Sequence, residues 1–169
     1  MDVGFECNAK PNDEWFTPPE IIKALGDFDL DPCNSIDRPW NTAKVHFTKD
    51  DDGLTMPWEG RVWLNPPYCG NTKVWMEKMA DHNNGIALIY SRMDNLIFHN
   101  LVFPKASGIY FLQRKISFYH KDGTKSNRAG CGSCLISFGT KDMIALSNFK
   151  LLNGTFFPLN LSDRFNLLP

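Results

Sequence analysis

The feature that most constrains the fold is the segment Gly85–Tyr90, in which five apolar or aromatic side chains follow a glycine without interruption. A short run without polar alternation is typical of a strand that is buried on both faces of a parallel sheet. Such a strand needs helices packed on both faces, because its apolar side chains would otherwise meet water. The chain is therefore predicted to form an α/β sheet layered with helices.

Helices and strands alternate along the rest of the chain. Apolar spacing predicts a helix that Thr17 caps and Gly26 ends, a second helix over residues 72–83 and a third over residues 95–102. The other predicted strands cover residues 28–31, 61–64, 109–112 and 134–138. No helical pattern separates the last two strands, so we expect them to pair antiparallel, which gives a mixed, mostly parallel sheet with an antiparallel edge.

The length of 169 residues is that of one domain, and we expect a single domain over residues 1–169. Residues 1–12 are expected to be mobile, residues 33–53 to form loops, and residues 140–169 to form a packing tail or a dimer contact. The five cysteines are an odd number without a secretory context, which predicts reduced thiols in the cytoplasm. No metal site is predicted, because Cys131 and Cys134 lack a second ligand pair at zinc spacing. No apolar run approaches the ~20 residues of a membrane helix, so no membrane partner is expected.

The net charge of −1 hides an uneven distribution. Residues 1–104 contain 9 Lys and Arg against 16 Asp and Glu, whereas residues 105–169 contain 9 Lys and Arg against only 3 Asp and Glu. This split indicates one acidic and one basic face. A basic face suits a polyanion, because neutralisation of phosphates with release of counterions drives nucleic-acid binding.

The tetrapeptide Asn65-Pro66-Pro67-Tyr68 directly follows a predicted apolar strand, and it therefore lies at the strand's carboxyl end, where open α/β sheets bind ligands. Two prolines stiffen the turn and remove two backbone donors. The acceptors that remain are the side-chain oxygen of Asn65 and the carbonyl oxygen of Pro66, and Tyr68 adds a flat aromatic face. This combination suits a planar group that carries an NH2, with hydrogen bonds to both of its hydrogens and a ring stacked on its plane.

The tetrapeptide after a strand resembles that of amino-group methyltransferases that use S-adenosylmethionine, and the chain is most similar to the small phage-encoded DNA N6-adenine methyltransferases. The resemblance covers roughly residues 13–139 and rests on blocks at residues 13–20, 30–34, 52–54, 62–68 and 114–118. It implies a Rossmann-like, S-adenosylmethionine-dependent methyltransferase fold. It also implies that Asn65, Pro66, Pro67 and Tyr68 form the catalytic turn.

The same resemblance implies a pocket for the methyl donor. It matches Thr17-Pro18 to a donor-binding element before the first strand and Asp31-Pro32 to the end of that strand. It also matches Asp52 to an acidic residue that contacts the adenine of the donor, although the choice among residues 50–52 stays open. No glycine-rich turn follows Asp31, and the stretch from there to residue 61 is short, so we expect one strand–helix unit to be missing or reduced. Asn34 and Asp37 are the candidates for ribose binding.

A basic stretch with interleaved aromatic residues is the predicted DNA contact, since phosphates attract the cations and bases stack on the rings. The predicted nucleic-acid-binding residues are Arg114, Lys115, Phe118, Lys121, Lys125 and Arg128. Phe118 is expected to pack on a face of the target base, which must be single-stranded or flipped out of a duplex.

The resemblance therefore implies methyl transfer from S-adenosylmethionine to the N6 amino group of adenine in DNA, double- or single-stranded. No separate target-recognition domain is visible, which favours low sequence selectivity. The expected role is modification of phage DNA in the cytoplasm of the bacterial host, as protection against restriction. Two alternatives stay open: methylation of RNA or of a glutamine amide in a protein, and a catalytically inactive relative that only binds DNA.

Overall fold

The computed structural model describes residues 14–68, 71–128 and 130–159, and the expectation for residues 1–12 lies outside them. The described strands form a sheet of seven strands in the order β2-β1-β3-β4-β8-β5-β9 and a separate hairpin of β6 and β7. The strands are β1 Leu30–Asp31, β2 Val45–His46, β3 Val62–Leu64, β4 Gly85–Tyr90, β5 Gly108–Leu112, β6 Ser117–Tyr119, β7 Lys125–Arg128, β8 Ser133–Phe138 and β9 Gly154–Pro158. The helices are α1 Pro19–Leu25, α2 Thr72–His82, a π-helical turn Phe98–Val102 that continues as α3 Phe103–Lys105, and α4 Thr140–Ser147.

The strands β2, β1, β3 and β4 pair in parallel, and β4 is the inner strand that its apolar run predicts. β8 lies between β4 and β5 and is antiparallel to both, which confirms the predicted antiparallel pairing of β5 with β8. β9 then pairs with β5 at the far edge. Five of these strands run in one direction, and β8 and β9 run in the other.

Three segments contain strands that the sequence did not predict, one of which is the hairpin of β6 and β7 within the basic stretch. Residues 33–53, predicted to be loops, include β2, a strand of only two residues whose Val45 is exposed. Between β1 and β3 every residue is described and none is helical, so this part of the fold is reduced to one short strand. The segment expected to be a packing tail or dimer contact supplies α4 and the edge strand β9.

Apolar side chains fill both faces of the sheet. On one face α2 and the π-helical turn cover β3, β4 and β8, with Met76, Met79 and Phe98 fully buried. On the other face α1, α4 and the hairpin cover Trp63 and Leu88. This two-sided cover explains why β4 and β8 carry mainly apolar side chains.

The first helix begins one residue later than predicted. Pro18 occupies the N-cap position and Thr17 makes no capping hydrogen bond, because the helix starts at Pro19 and the Thr17 side chain is buried beside it. Gly26 ends the helix as predicted, with φ of 90° and a backbone N–H that donates to the carbonyls of Ile22 and Lys23. The prediction that Thr17 caps the helix is therefore wrong.

A buried ion pair connects α4 to the sheet at the amino-terminal end of β3. The Arg61 guanidinium lies 2.6 Å from the Asp142 carboxylate and also donates to the backbone carbonyls of Leu25 and Asp27, at 3.0 Å each. Its planar group lies over the Phe28 ring. These contacts satisfy the buried guanidinium, as an ion pair without water requires.

Among the described residues, no helix combines the length and the apolar character that would be needed to cross a bilayer.

Candidate active site

The carboxyl ends of β1, β3 and β4 meet at one edge of the sheet, because these strands are parallel. Asp31 ends β1, Asn65 follows β3, and Tyr90 ends β4. The antiparallel β8 begins at the same edge, with Ser133 opposite Tyr90. The topology thus gathers polar groups from distant parts of the chain at the edge where α/β sheets bind ligands.

Three contacts hold Asn65 at this edge. Its amide nitrogen donates to the backbone carbonyl of Trp15 at 3.2 Å, and its amide oxygen accepts from the Tyr68 hydroxyl at 2.9 Å. The Cys33 thiol donates to the backbone carbonyl of Asn65 at 3.4 Å. The nitrogen has a fixed partner, so the amide oxygen points to the side of the turn where Tyr68 lies. An amide oxygen accepts two hydrogen bonds, so a second donor can still reach it.

Tyr68 lies half-buried against the sheet. Its hydroxyl also lies 3.2 Å from the carbonyl oxygen of Leu88, so one hydrogen is shared between two acceptors. Its ring stacks on the Tyr90 ring, with centroids 4.1 Å apart and planes 26° from parallel. Burial raises the pKa of the Tyr68 hydroxyl well above its ordinary value, so the group is a neutral donor at every physiological pH.

The Asp31 carboxylate is buried and organises the loop that follows β1. It accepts from the backbone N–H of Cys33 at 3.2 Å, from the Asn34 amide at 2.8 Å and from the Thr42 hydroxyl. Burial raises the pKa of Asp31 to about 6, although these hydrogen bonds favour the charged form. Because the Asn34 amide also contacts Thr42 and the backbone of Ser35, it is occupied within the loop.

Thr17 and Pro18 are both buried next to this loop. The carbonyl of Thr17 accepts from the indole N–H of Trp40 at 3.1 Å. Its hydroxyl, by contrast, has no hydrogen-bond partner among the described residues although it is buried. A buried hydroxyl without a partner costs free energy, so this position suits a ligand that supplies one.

The acidic stretch at residues 50–52 approaches Asp31 through its neighbouring glycine. A side chain at Gly53 would overlap the carbonyl oxygen of Pro32, which shows how closely the two backbones pack. The Asp51 carboxylate accepts from the backbone and the hydroxyl of Thr48 and stabilises a local turn. Asp52 is exposed, has φ of 51° and directly precedes the glycine that packs on Pro32.

The basic hairpin of β6 and β7 also lies at this edge. Backbone hydrogen bonds join Tyr119 to Phe16 in both directions, at 3.0 and 2.9 Å. The Tyr119 ring meets Trp40 edge-on at 5.1 Å, and His120 contacts the Trp15 ring at 5.1 Å. The hairpin therefore packs against the same segment that holds Asn65.

The six predicted DNA-contacting residues differ in their exposure to solvent. Four are exposed cations, of which Lys115 donates to the Gly130 carbonyl at 2.7 Å and Lys121 lies 3.8 Å from Asp37. These four are Arg114, Lys115, Lys121 and Lys125. The side chain of Arg128 lies outside what the structure describes.

Phe118 requires a correction. Only 3% of this residue is exposed, and its ring belongs to the apolar core beside Trp63 and Ile116. In a strand the side chains alternate, so the neighbours of Phe118 face outward while its ring faces inward. Its position does not support the predicted contact with a base.

Similarity to known proteins identifies the family to which this chain belongs. A family model described as DNA N-6-adenine-methyltransferase (Dam) matches residues 6–149. The chain belongs to the Dam family. No curated protein and no solved structure matches it. The resemblance to N6-adenine methyltransferases is thereby confirmed, and the mixed sheet fits a methyltransferase-like fold.

Dam-family membership implies methylation of adenine N6 in DNA with S-adenosylmethionine as the donor. The residues at the carboxyl edge fit such a donor, because the Thr17 hydroxyl lacks a partner among the described residues and the exposed Asp52 carboxylate offers acceptors. A carboxylate also attracts a cationic group. Within the described ranges no group of three or more His, Cys, Asp or Glu side chains is arranged to hold a metal ion.

Four residues that contact the candidate site residues were not among those predicted for the site. They are Trp15, Trp40, Cys33 and Tyr90, which contact Asn65, Thr17, Asn65 and Tyr68 respectively. Only Tyr90 carried a usable signal, since it ends an apolar strand at the ligand-binding edge. The other three act through contacts with residues more than 20 positions away in the chain.

Proposed function

We propose that this protein transfers a methyl group from S-adenosylmethionine to adenine N6 in DNA at the turn of Asn65, Pro66, Pro67 and Tyr68. The observation that carries the proposal is the oriented Asn65 amide, whose nitrogen is bound to the Trp15 carbonyl and whose oxygen therefore faces the reacting side. The amide oxygen and the Pro66 carbonyl accept the two hydrogens of the target amine. The donor supplies an electrophilic methyl group on a positively charged sulfonium.

The residues of the turn act by position and charge. An exocyclic amine is a poor nucleophile because its lone pair is delocalised into the ring. Two acceptors outside the ring plane draw the hydrogens away and favour the geometry in which the lone pair is free, which stabilises the transition state more than the ground state. Asn65 does not act as a base, so the proton that the product loses passes to water.

Donor binding is proposed for Thr17, Pro18, Asp31, Pro32 and Asp52. Thr17 offers its unpartnered hydroxyl and Asp52 its exposed carboxylate. Asp31 acts by holding the loop that ends with Thr42, and Asn34 contributes to the same loop. The ordered loop then presents its backbone to the donor without rearrangement, which reduces the cost of binding.

The exposed cations of the hairpin and Arg128 are proposed to contact phosphates of double- or single-stranded DNA. Phosphate contacts position a protein but carry no sequence information, so we propose low sequence selectivity. Such a modification, introduced broadly into phage DNA in the host cytoplasm, would protect it against restriction enzymes. The proposed Rossmann-like fold with a reduced first half is supported by the single short strand between β1 and β3.

The test is to incubate the protein with labelled donor and unmethylated duplex DNA, single-stranded DNA, RNA or glutamine peptides, and to identify the methylated product by mass spectrometry. We expect N6-methyladenine in DNA. Asn65→Ala should lower turnover by about 10²-fold or more while folding and donor affinity are retained. Asn100→Ala, an exposed asparagine in the π-helical turn, is the matched control and should leave turnover unchanged. Product in RNA or peptide alone would overturn the assignment, and so would donor binding without any product.

A further inference from the structure

Tyr90 ends the central strand β4 and covers one face of the Tyr68 ring. The centroids lie 4.1 Å apart and the planes are 26° from parallel, which is a stacked arrangement. Tyr90 is itself half-buried and is paired in register with Ser133 on β8. An aromatic residue on the rigid central strand thus forms a platform beneath the catalytic turn.

The Tyr90 ring also has a cation, Arg92, beside it. The Arg92 guanidinium lies 5.9 Å from its ring centroid, and the same guanidinium contacts the Cys131 sulfur at 3.1 Å. Cys131 follows β7 closely in the chain, so Arg92 links the strand end to the segment that leaves the hairpin. Tyr90 is therefore restrained by the strand backbone and by a cation near its ring.

The placement of Tyr68 depends on this platform. The Tyr68 hydroxyl lies 2.9 Å from the Asn65 amide oxygen and 3.2 Å from the Leu88 carbonyl, so a displacement of a few tenths of an ångström decides which acceptor receives the hydrogen. The stack acts on the ring plane, whereas both hydrogen bonds act on the hydroxyl. The stack on Tyr90 sets both the height and the tilt of the ring.

We propose that Tyr90 is a positioning residue for methyl transfer: its ring supports Tyr68 so that the opposite face of Tyr68 receives the target base beside Asn65. The inference rests on the proposed function of the turn. Tyr90 touches neither reacting atom in this scheme, and it acts through Tyr68. One face of Tyr68 is occupied by Tyr90, so only the other face is available to a planar base.

Substitution of Tyr90 tests the proposal through turnover. Tyr90→Leu should lower kcat about tenfold, which corresponds to about 1.4 kcal/mol and lies at the upper end of what an aromatic pair contributes beyond buried area. Tyr90→Phe should keep kcat near that of the wild type, because the ring and not the hydroxyl supports Tyr68. Affinity for S-adenosylmethionine should not change in either variant. Phe111→Leu, which removes a partly buried ring on β5 that contacts Phe157, is the matched control and should keep kcat.

A double-mutant cycle separates positioning from an independent role. In a Tyr68→Ala background no ring remains to be positioned, so adding Tyr90→Leu should cost less than about twofold in kcat. A full tenfold loss in that background would overturn the proposal, as would Tyr90→Phe with the same defect as Tyr90→Leu.

A measurement without turnover keeps this test separate from that of the proposed function. The chain contains four tyrosines, and ¹³Cζ labelling resolves their hydroxyl environments by NMR. In Tyr90→Leu the Tyr68 signal should shift and its hydroxyl should titrate at lower pH, because the ring is no longer held in its buried position. An unchanged Tyr68 signal would refute the positioning role even if the wild type methylates DNA. A wild type without methylation, by contrast, would refute the proposed function while the Tyr68 shift is still observed.

Discussion

The side-chain amide of Asn65 donates to the backbone carbonyl of Trp15 at 3.2 Å, across 50 positions of the sequence. Asparagine presents a donor and an acceptor that are interchangeable by rotation, so the chemistry of the turn requires that one of them be held. Trp15 performs this role with a backbone group, and Phe16 beside it is paired with the hairpin. The predicted DNA-binding element and the proposed catalytic amide therefore share one structural support.

Substitution of Tyr68 distinguishes its ring from its hydroxyl. Tyr68→Phe keeps the stack on Tyr90 and loses one shared hydrogen bond, which corresponds to about fivefold in kcat. Tyr68→Ala also removes the face on which the base stacks, and kcat should fall by about 10²-fold. Single-turnover kinetics on saturating DNA give both values. Equal losses in the two variants would show that the hydroxyl, and not stacking, is what catalysis needs.

The hairpin cations should control DNA affinity through salt. In the double variant Lys121→Ala, Lys125→Ala the slope of log affinity against log salt should flatten by up to about 1.8 on duplex DNA, and addition of Arg128→Ala should extend this to about three. Fluorescence anisotropy at several salt concentrations with unrelated sequences measures the slope. The matched control is the double variant of Lys105 and Lys141, exposed lysines at the opposite edge of the sheet, which should leave it unchanged. Donor affinity should stay the same in every variant, and an unaltered slope in the hairpin variants would place the hairpin away from the DNA.

Close packing of Gly53 on Pro32 predicts a specific defect in donor binding. In Gly53→Ala the added methyl group overlaps the Pro32 carbonyl, so the backbones must separate and Asp52 must move away from the Asp31 loop. We expect a loss of about 1–3 kcal/mol in stability and a weaker affinity for S-adenosylmethionine by calorimetry. Gly130→Ala meets open space and serves as the control, with both quantities retained. If Gly53→Ala binds S-adenosylmethionine with wild-type affinity, Asp52 does not belong to the donor pocket.

The buried Asp31 carboxyl predicts how stability depends on pH. Its pKa is about 6 in the folded protein against 3.8 unfolded, so the folded state binds the proton more tightly. The stabilising effect is complete below pH 3.8 and is lost as pH rises through 6. Measured by urea unfolding, the stability of Asp31→Asn minus that of the wild type should increase by on the order of 3 kcal/mol between pH 4 and 7.

The difference in stability between Asp31→Asn and the wild type isolates the effect of Asp31, because the pKa shift of His46 changes stability with pH in the opposite direction. Burial and then Arg38 lower the pKa of His46 to about 4, and its ring nitrogen accepts from the N–H groups of Thr42 and Ala43. The unfolded state binds this proton more tightly, so the contribution of His46 to stability rises between pH 4 and 6.5. Asp122→Asn is the control, since hydrogen bonds from Thr124 lower the pKa of this exposed carboxyl from 3.8 and its difference should therefore stay nearly constant between pH 4 and 7. A constant difference for Asp31→Asn would contradict the raised pKa.

Local sequence determined the elements whose causes lie within a few consecutive residues. The apolar run of β4, the end of α1 at Gly26 and the proline-stiffened turn after β3 all follow from side-chain and backbone properties at adjacent positions. The family blocks were equally local, and they predicted that Asn65 and Tyr68 belong to a catalytic turn before any contact was known.

Tertiary structure decided every feature that depends on which distant segments meet. Strand alternation turned Phe118 into the core, β9 reached the sheet edge by pairing with β5, and Thr17 was buried without capping its helix. The residues that contact Asn65 and Tyr68 could not be predicted from the sequence either. Trp15 contacts Asn65 through a backbone carbonyl, which every residue possesses, and Tyr90 contacts Tyr68 through a ring stack that depends on strand register. Sequence specifies chemistry at each position, whereas register and burial decide which of those groups come within hydrogen-bonding distance of each other.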